Sequence, residues 1–150
     1  MANWLVKSEP DVYAIADLER DGRTGWEGVR NFQARNSLRA MALKDQVLFY
    51  HSNADPLGIC GLAEVVGLAS PDDTQFDPAS PYHDPTAPLD GSRWSTVQLG
   101  FVRRFPRVLT LAELKADPSL LGLELTRKGS RLSVQPVSKA HFERIAALAR

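Results

Sequence analysis

The order of apolar and polar positions divides the chain into short strand-like and helix-like stretches. Trp4, Val6 and Ser8 alternate with Leu5 and Lys7, a period of two that predicts a strand ending at Glu9-Pro10. Over Ala14–Arg20 the spacing of Ile15 and Leu18 is helical, and Gly22 stands where such a helix ends. Thr24-Gly25 then predicts a turn. From Phe32 to Met41 the positions Ala34, Leu38 and Met41 again have helical period, with Asn31 placed as N-cap. On that helix Asn31 and Arg35 lie one turn apart and share a face, and Arg39 continues the row.

Gln46–Ser52 carries Val47, Leu48, Phe49 and Tyr50 without alternation, the pattern of a central strand buried on both faces. Gly58–Val66 predicts a second strand. Gly61 within it marks a bulge, a close approach to the backbone or, more commonly, tight packing of a neighbouring side chain. Residues 71 to 88 hold Pro71, Pro78, Pro81, Pro85 and Pro88 among aspartates, which predicts a long ordered loop whose acids form turns. Trp94–Phe105 resumes as a strand with Val97, Leu99 and Phe101 on one face. Thr110 and Glu113 form a capping box, with Leu109 stapled onto Leu114 and Pro118 ending the helix. Arg131–Val137 alternates Leu132 and Val134 against Ser133 and Gln135, and Ser138 caps a last helix buried through Phe142, Ile145 and Leu148. Strands outnumber helices, no repeat is visible, and the strand-helix order is too irregular for a doubly wound sheet. The expected fold is α+β, a small, mostly antiparallel β-barrel with peripheral helices, in a single domain over residues 1–150.

Composition agrees with one ordinary core: 43% of the 150 residues are hydrophobic. The N-terminus lacks a signal-peptide pattern, and no apolar run approaches the roughly 18 residues of a spanning helix, so a cytoplasmic chain without membrane association is expected. Cys60 is the single cysteine, read as a core residue. Net charge is +0, which argues against nucleic-acid binding through bulk electrostatics. Its distribution changes the picture. Asp45–Ser92 contains no Lys or Arg and eight acids, leaving an excess of eight basic charges on the rest of the chain. Either the basic segments form a face that tracks phosphates or folding interleaves the two regions.

The chemistry concentrates at Trp26–Asn36, Trp-Glu-Gly-Val-Arg-Asn-Phe-Gln-Ala-Arg-Asn. Trp26 offers an aromatic face, Asn31 and Asn36 offer amides, and Arg30 and Arg35 offer forked donors suited to phosphate or a base edge. A capped helix with a core tryptophan and solvated arginines uses the same residue types. Motifs of catalysis are missing: there is no Gly-x-Ser-x-Gly, no phosphate-binding glycine loop, no His-Glu-x-x-His and no Cys-x-x-Cys. His83 and His141 read as surface residues. His51, followed by Ser52 at the mouth of the central strand, fits either a hydrogen-bonded structural role or a hydrolase or nucleotide-modifying site with Ser52 or Lys7.

Six ordered motifs, Lys7-Ser-Glu-Pro10, Trp26–Asn36, Val47-Leu-Phe-Tyr-His-Ser-Asn53, Asp73-Thr-Gln-Phe-Asp-Pro78, Phe101-Val-Arg-Arg-Phe105 and Arg131-Leu-Ser-Val-Gln-Pro-Val137, together resemble the EVE domain family over essentially the whole chain. The resemblance implies a PUA-like barrel, related in fold to YTH domains, and a non-catalytic reader that takes a modified base of DNA or RNA into a pocket. It implies Trp26 as aromatic wall with Lys7 and Ser8 beside it. Asn31 and Arg35 would stand at the entrance, His51, Ser52 and Asn53 would make polar contacts, and Ser133 and Gln135 would be further candidates. Ala14 departs from the family pattern where a capping serine is expected, and His83 where a tyrosine often follows Tyr82. The expectation is a monomer that needs no cofactor or metal.

Overall fold

The computed structural model describes residues 1–150. Six strands form one sheet: β1 (Asn3–Ser8), β2 (Arg23–Trp26), β3 (Gln46–His51), β4 (Gly58–Pro71), β5 (Ser95–Thr110) and β6 (Val134–Val137), in the order β2-β5-β4-β3-β1-β6. The β1/β3 pair is parallel and the other pairings are antiparallel. Four helices flank the sheet: α1 (Ile15–Asp21), α2 (Phe32–Ala40), α3 (Leu111–Ala116) and α4 (Lys139–Leu148). The α+β class and the antiparallel majority agree with the sequence pattern. The hydrogen-bonded order runs from β2 to β6 without closing into a ring, and α2 lies against β5 and β6 across the gap.

Alternation on β1 and β3 separates two cores. Trp4, Val6, Val47 and Phe49 face α1 and α2, packing with Ile15, Leu18, Ala34 and Leu38. Leu5, Leu48 and Tyr50 face the other way, against Leu109, Leu114, Leu120 and Ile145. Both central strands are therefore buried on both faces, which is why β3 lacks alternation in the sequence. A fully buried leucine contributes about 1.5–3 kcal/mol, so the two cores fix the strand register firmly.

Local differences have physical causes. Thr24-Gly25 is strand rather than turn: Gly25 pairs with Gln98 on β5, and a Cβ there would stand 3.0 Å from the Gln98 side-chain nitrogen. The glycine serves close packing. β5 continues past Phe105 to Thr110, because the β4 register shifts between Ile59 and Gly61 and leaves Pro106 in the irregular interval, where no ladder donor is needed. Gly61 also admits Ile15, whose Cδ1 would lie 2.6 Å from an added Cβ, as the tight-packing reading expected. β6 covers only Val134–Val137, shorter than the expected Arg131–Val137.

In the proline loop Asp72, Asp77 and Asp84 each accept an amide two residues on, the turns expected of them. The acidic block also pairs with basic residues outside it, Asp72 with Arg30 at 3.0 Å and Asp84 with Arg93 at 3.2 Å. Folding thus interleaves part of the two charge regions. No helix is long and apolar enough to cross a membrane.

Candidate functional site

A cleft of about 400 Å³ opens between the end of β1, the end of β2 and the proline loop, a size typical of small-ligand sites. Trp26 forms its wall. The residue is only 8% exposed, and its ring is set nearly at right angles to Tyr13 and Phe49, with centroids 6.5 and 5.4 Å away. The other two tryptophans donate their indole N–H to carboxylates, Trp4 to Asp45 and Trp94 to Asp84. Trp26 has no acceptor within the chain, so its N–H is free to bond a ligand. Tyr13 and Tyr82 add two further aromatic walls, and Val12 and Val29 add apolar ones. Polar groups come from Ser8, Thr24 and Ser133, and from the carboxylates of Glu9 and Glu27. Burial first, then the charge of Asp72, raises the pKa of Glu27.

Arg30 and Asp72 hold this arrangement together. Arg30 uses all five guanidinium N–H groups inside the protein: two on the Tyr82 carbonyl at 2.8 and 3.0 Å, and one each on Val29, Asp72 and Thr74. It also lies over the Trp94 ring at 5.3 Å. Asp72, fully buried, accepts from the Gly28 amide at 2.8 Å as well as from Arg30 and Thr74. Burial opposes its charge, but the bonds from Thr74, Gly28 and Arg30 outweigh that and hold its pKa below the usual carboxylate range. Gly28 has φ +82°, and three atoms of the Tyr82 ring would lie 2.6–2.7 Å from a Cβ built there. Only glycine permits both the left-handed backbone and the seated ring. The clamp therefore docks the proline loop on the Trp26–Arg30 segment and delivers Tyr82 to the cleft.

The structure brings together Lys7, Ser8, Trp26 and Ser133 of the expected residues. Lys7 borders the cleft, yet its ammonium lies 5.8 Å from the Tyr50 ring centre, and its pKa is lowered by burial against the opposing pull of Glu124. Ser8 donates to the Tyr13 carbonyl at 2.6 Å, fixing the loop that carries that ring. The remaining expected residues do not line the cleft. Asn31 caps α2 through a 2.9 Å bond from the Ala34 amide and borders a neighbouring groove. Arg35 stacks on Phe32 at 4.8 Å and donates to the Arg93 carbonyl. His51 accepts the Ile15 amide at 3.2 Å through Nε2, supplying from β3 the helix cap that Ala14 cannot. Burial, then the charge of Arg104, lowers its pKa. Ser52 donates its amide to the Ser8 carbonyl, and Asn53, at φ +48°, reaches Glu9 at 3.5 Å. Gln135 stands opposite Leu5, fully buried, with its amide nitrogen on the Leu132 carbonyl. Tyr13, Tyr82, Glu9 and Glu27 were not anticipated. Tyr82 lies far from Trp26 in sequence, and the one local trace of its packing is Gly28, two residues after Trp26, which leaves room for its ring.

A scan against family models matches the EVE domain over residues 2–148. The chain belongs to the EVE domain family. Human thymocyte nuclear protein 1 is 40% identical to this EVE domain, over 98% of the chain and 73% of the relative. A crystal structure of a protein from Pseudomonas syringae superposes with TM-score 0.97 at 48% identity, covering 99% of this chain and all of the other. Human THYN1, solved in complex with DNA containing 5-methylcytosine, superposes with TM-score 0.93 at 40% identity, covering 100% of this chain and 98% of that one. The PUA-like EVE fold expected from the motifs is thus the fold observed, apart from barrel closure.

Proposed function

We propose that residues 1–150 act as one non-catalytic reader module that takes a modified cytosine of DNA into the cleft of Trp26, Tyr13 and Tyr82. The observation that carries this reading is the convergence of three aromatic residues, Trp26, Tyr13 and Tyr82, on one cleft, with the Trp26 indole N–H unpartnered within the chain. Stacking surfaces together with edge-directed hydrogen bonds are what recognition of a single extruded base requires. Glu9 and Glu27 suit the exocyclic amino group of cytosine, which carboxylates accept from. The buried faces of Trp26 and Val29 suit a methyl substituent, worth about 0.8 kcal/mol per carbon removed from water. The complex formed by the THYN1 relative supports DNA and methylated cytosine as the ligand.

A hydrolase built on His51 lacks support. Its Nε2 is committed to the Ile15 amide, and neither His51 nor Ser52 lines the cleft.

The test compares duplexes identical except for one 5-methylcytosine, titrated into the wild type, Trp26→Phe and Tyr82→Ala. Loss of a stacking partner weakens base binding by about 1–3 kcal/mol, so Tyr82→Ala should lose about five-fold or more of the affinity for the methylated duplex. Trp26→Phe keeps an apolar ring for the methyl group and removes the N–H, and should weaken binding of both duplexes. Equal binding of both duplexes by all three proteins refutes the reading.

A further inference from the structure

The cleft presents Glu9 and Glu27 at its lining, while the Lys7 ammonium is over Tyr50. Carboxylates repel a phosphate backbone, so a strand whose base enters the cleft needs its cations elsewhere. A second recess of about 280 Å³ adjoins the cleft between the start of α2 and the loop over residues 124–132. The two share a wall: Ser133 and Val29 line the cleft, and Leu132 and Asn31 line the groove. Along the chain these positions are at most two residues apart, about 7 Å.

The groove is basic. Arg127, Lys128 and Arg131 line it against one acid, Glu124, and Leu132 is its single apolar residue. Glu124 is engaged with Arg127 at 3.7 Å and with the Ser130 hydroxyl at 3.2 Å. Lys128 and Arg131 are exposed and make no hydrogen bond or ion pair within the protein. At the other bank, α2 begins with the amides of Phe32 and Gln33 free of any acceptor in the chain, and the Gln33 side chain reaches the groove. Unused amides at a helix start favour anions. Two partner-free cations, a helix start and a recess beside the base cleft converge on one chemistry.

We infer that the groove of Lys128, Arg131 and the α2 N-terminus holds the phosphate backbone of the DNA strand whose base occupies the Trp26 cleft. This rests on the base-reading role proposed above. Phosphate contacts position a strand and carry no sequence information, so the groove supplies affinity and the cleft supplies selectivity. Each neutralised phosphate contributes to the salt dependence of binding.

The experiment is a salt titration of binding to a methylated duplex and its unmethylated twin, with wild type and Lys128→Gln/Arg131→Gln. Each phosphate contact adds about 0.9 to the slope of log K against log salt on duplex DNA, so the double variant should lower that slope by roughly 1.8. At about 0.1 M salt it should bind both duplexes about ten-fold or more weakly, by the same factor. Inorganic phosphate at matched ionic strength should not displace the DNA. An unchanged slope and affinity overturns the inference. So does a loss confined to the methylated duplex, which would make these base contacts, or displacement by inorganic phosphate, which would make the groove a free-anion site. Failure of the base-reading role appears separately, as equal wild-type affinity for the two duplexes, and leaves the slope change still readable.

Discussion

Replacing Arg30 by methionine removes the guanidinium from a side chain only 22% exposed and leaves the buried Asp72 carboxylate without its cation. Breaking one partner of a buried ion pair costs about 3–5 kcal/mol. Here Gly28 and Thr74 continue to donate to Asp72, which softens the loss. The Tyr82 carbonyl, in contrast, loses both of the Arg30 donors that hold it. These opposing terms place the expected loss near the lower bound, about 3 kcal/mol, or a fall in Tm of about 6–12 °C for a chain of this size. Urea unfolding followed by tryptophan fluorescence measures it. Asp72→Asn should be destabilising on its own, and the double variant Arg30→Met/Asp72→Asn should lose about 2 kcal/mol less than the sum of the singles, because the second change removes the charge the first one stranded. At a temperature where Arg30→Met is still folded, its affinity for a methylated duplex should also fall, since Tyr82 is no longer docked. A loss below about 1 kcal/mol for Arg30→Met, or strict additivity in the double variant, would refute the view that this pair organises the cleft.

Gly28→Ala combines a left-handed φ with a clash against the Tyr82 ring, and should cost about 2–3 kcal/mol and weaken base binding. Gly22→Ala shares the left-handed φ at +78° but meets nothing within 4 Å, so it should lose only the backbone part, about 1 kcal/mol, by the same denaturation assay. His51 has a folded pKa lowered by burial and by Arg104, so the fold favours its neutral form. Its contribution is fully present above the unfolded value of about 6.5 and is lost as pH falls through the folded pKa. Stability measured between pH 8 and pH 5.5 should therefore fall less steeply in His51→Gln than in the wild type.

What was legible in the sequence follows the range of the forces that set it. The caps at Asn31, Thr110 and Ser138 and the two-faced burial of β3 depend on neighbours within a few residues, and they read directly from spacing. Trp26 stood out by the residue types around it and Ser8 through the family resemblance, and both line the cleft. His51 was misleading for a physical reason: a polar residue ending a central strand can serve a ligand or a helix start, and only the position of Ile15 decides. Arg30 shows the same limit. Its five donors look suited to phosphate until the proline loop folds back and takes all of them. Tyr82 became a cleft wall through contacts that span much of the chain, and no local pattern encodes those. The length of β5 was hidden because Pro106 reads as a strand breaker, while a register shift makes it harmless.

The placement of β1 has a consequence for how the protein comes into being. Its two neighbours are β3, from the middle of the chain, and β6, near its end, with Val6 opposite Val134. During synthesis β1 can pair on one side once β3 is made, but its other edge stays open until Val134–Val137 has left the ribosome. Contacts between such distant segments form slowly, and an open apolar edge is a template for unwanted pairing. A ribosome stalled before residue 134 should therefore leave the outer edge of β1 unpaired, with Val6 on one face of the half-built sheet and Leu5 on the other, making this nascent chain a client for a chaperone until β6 arrives.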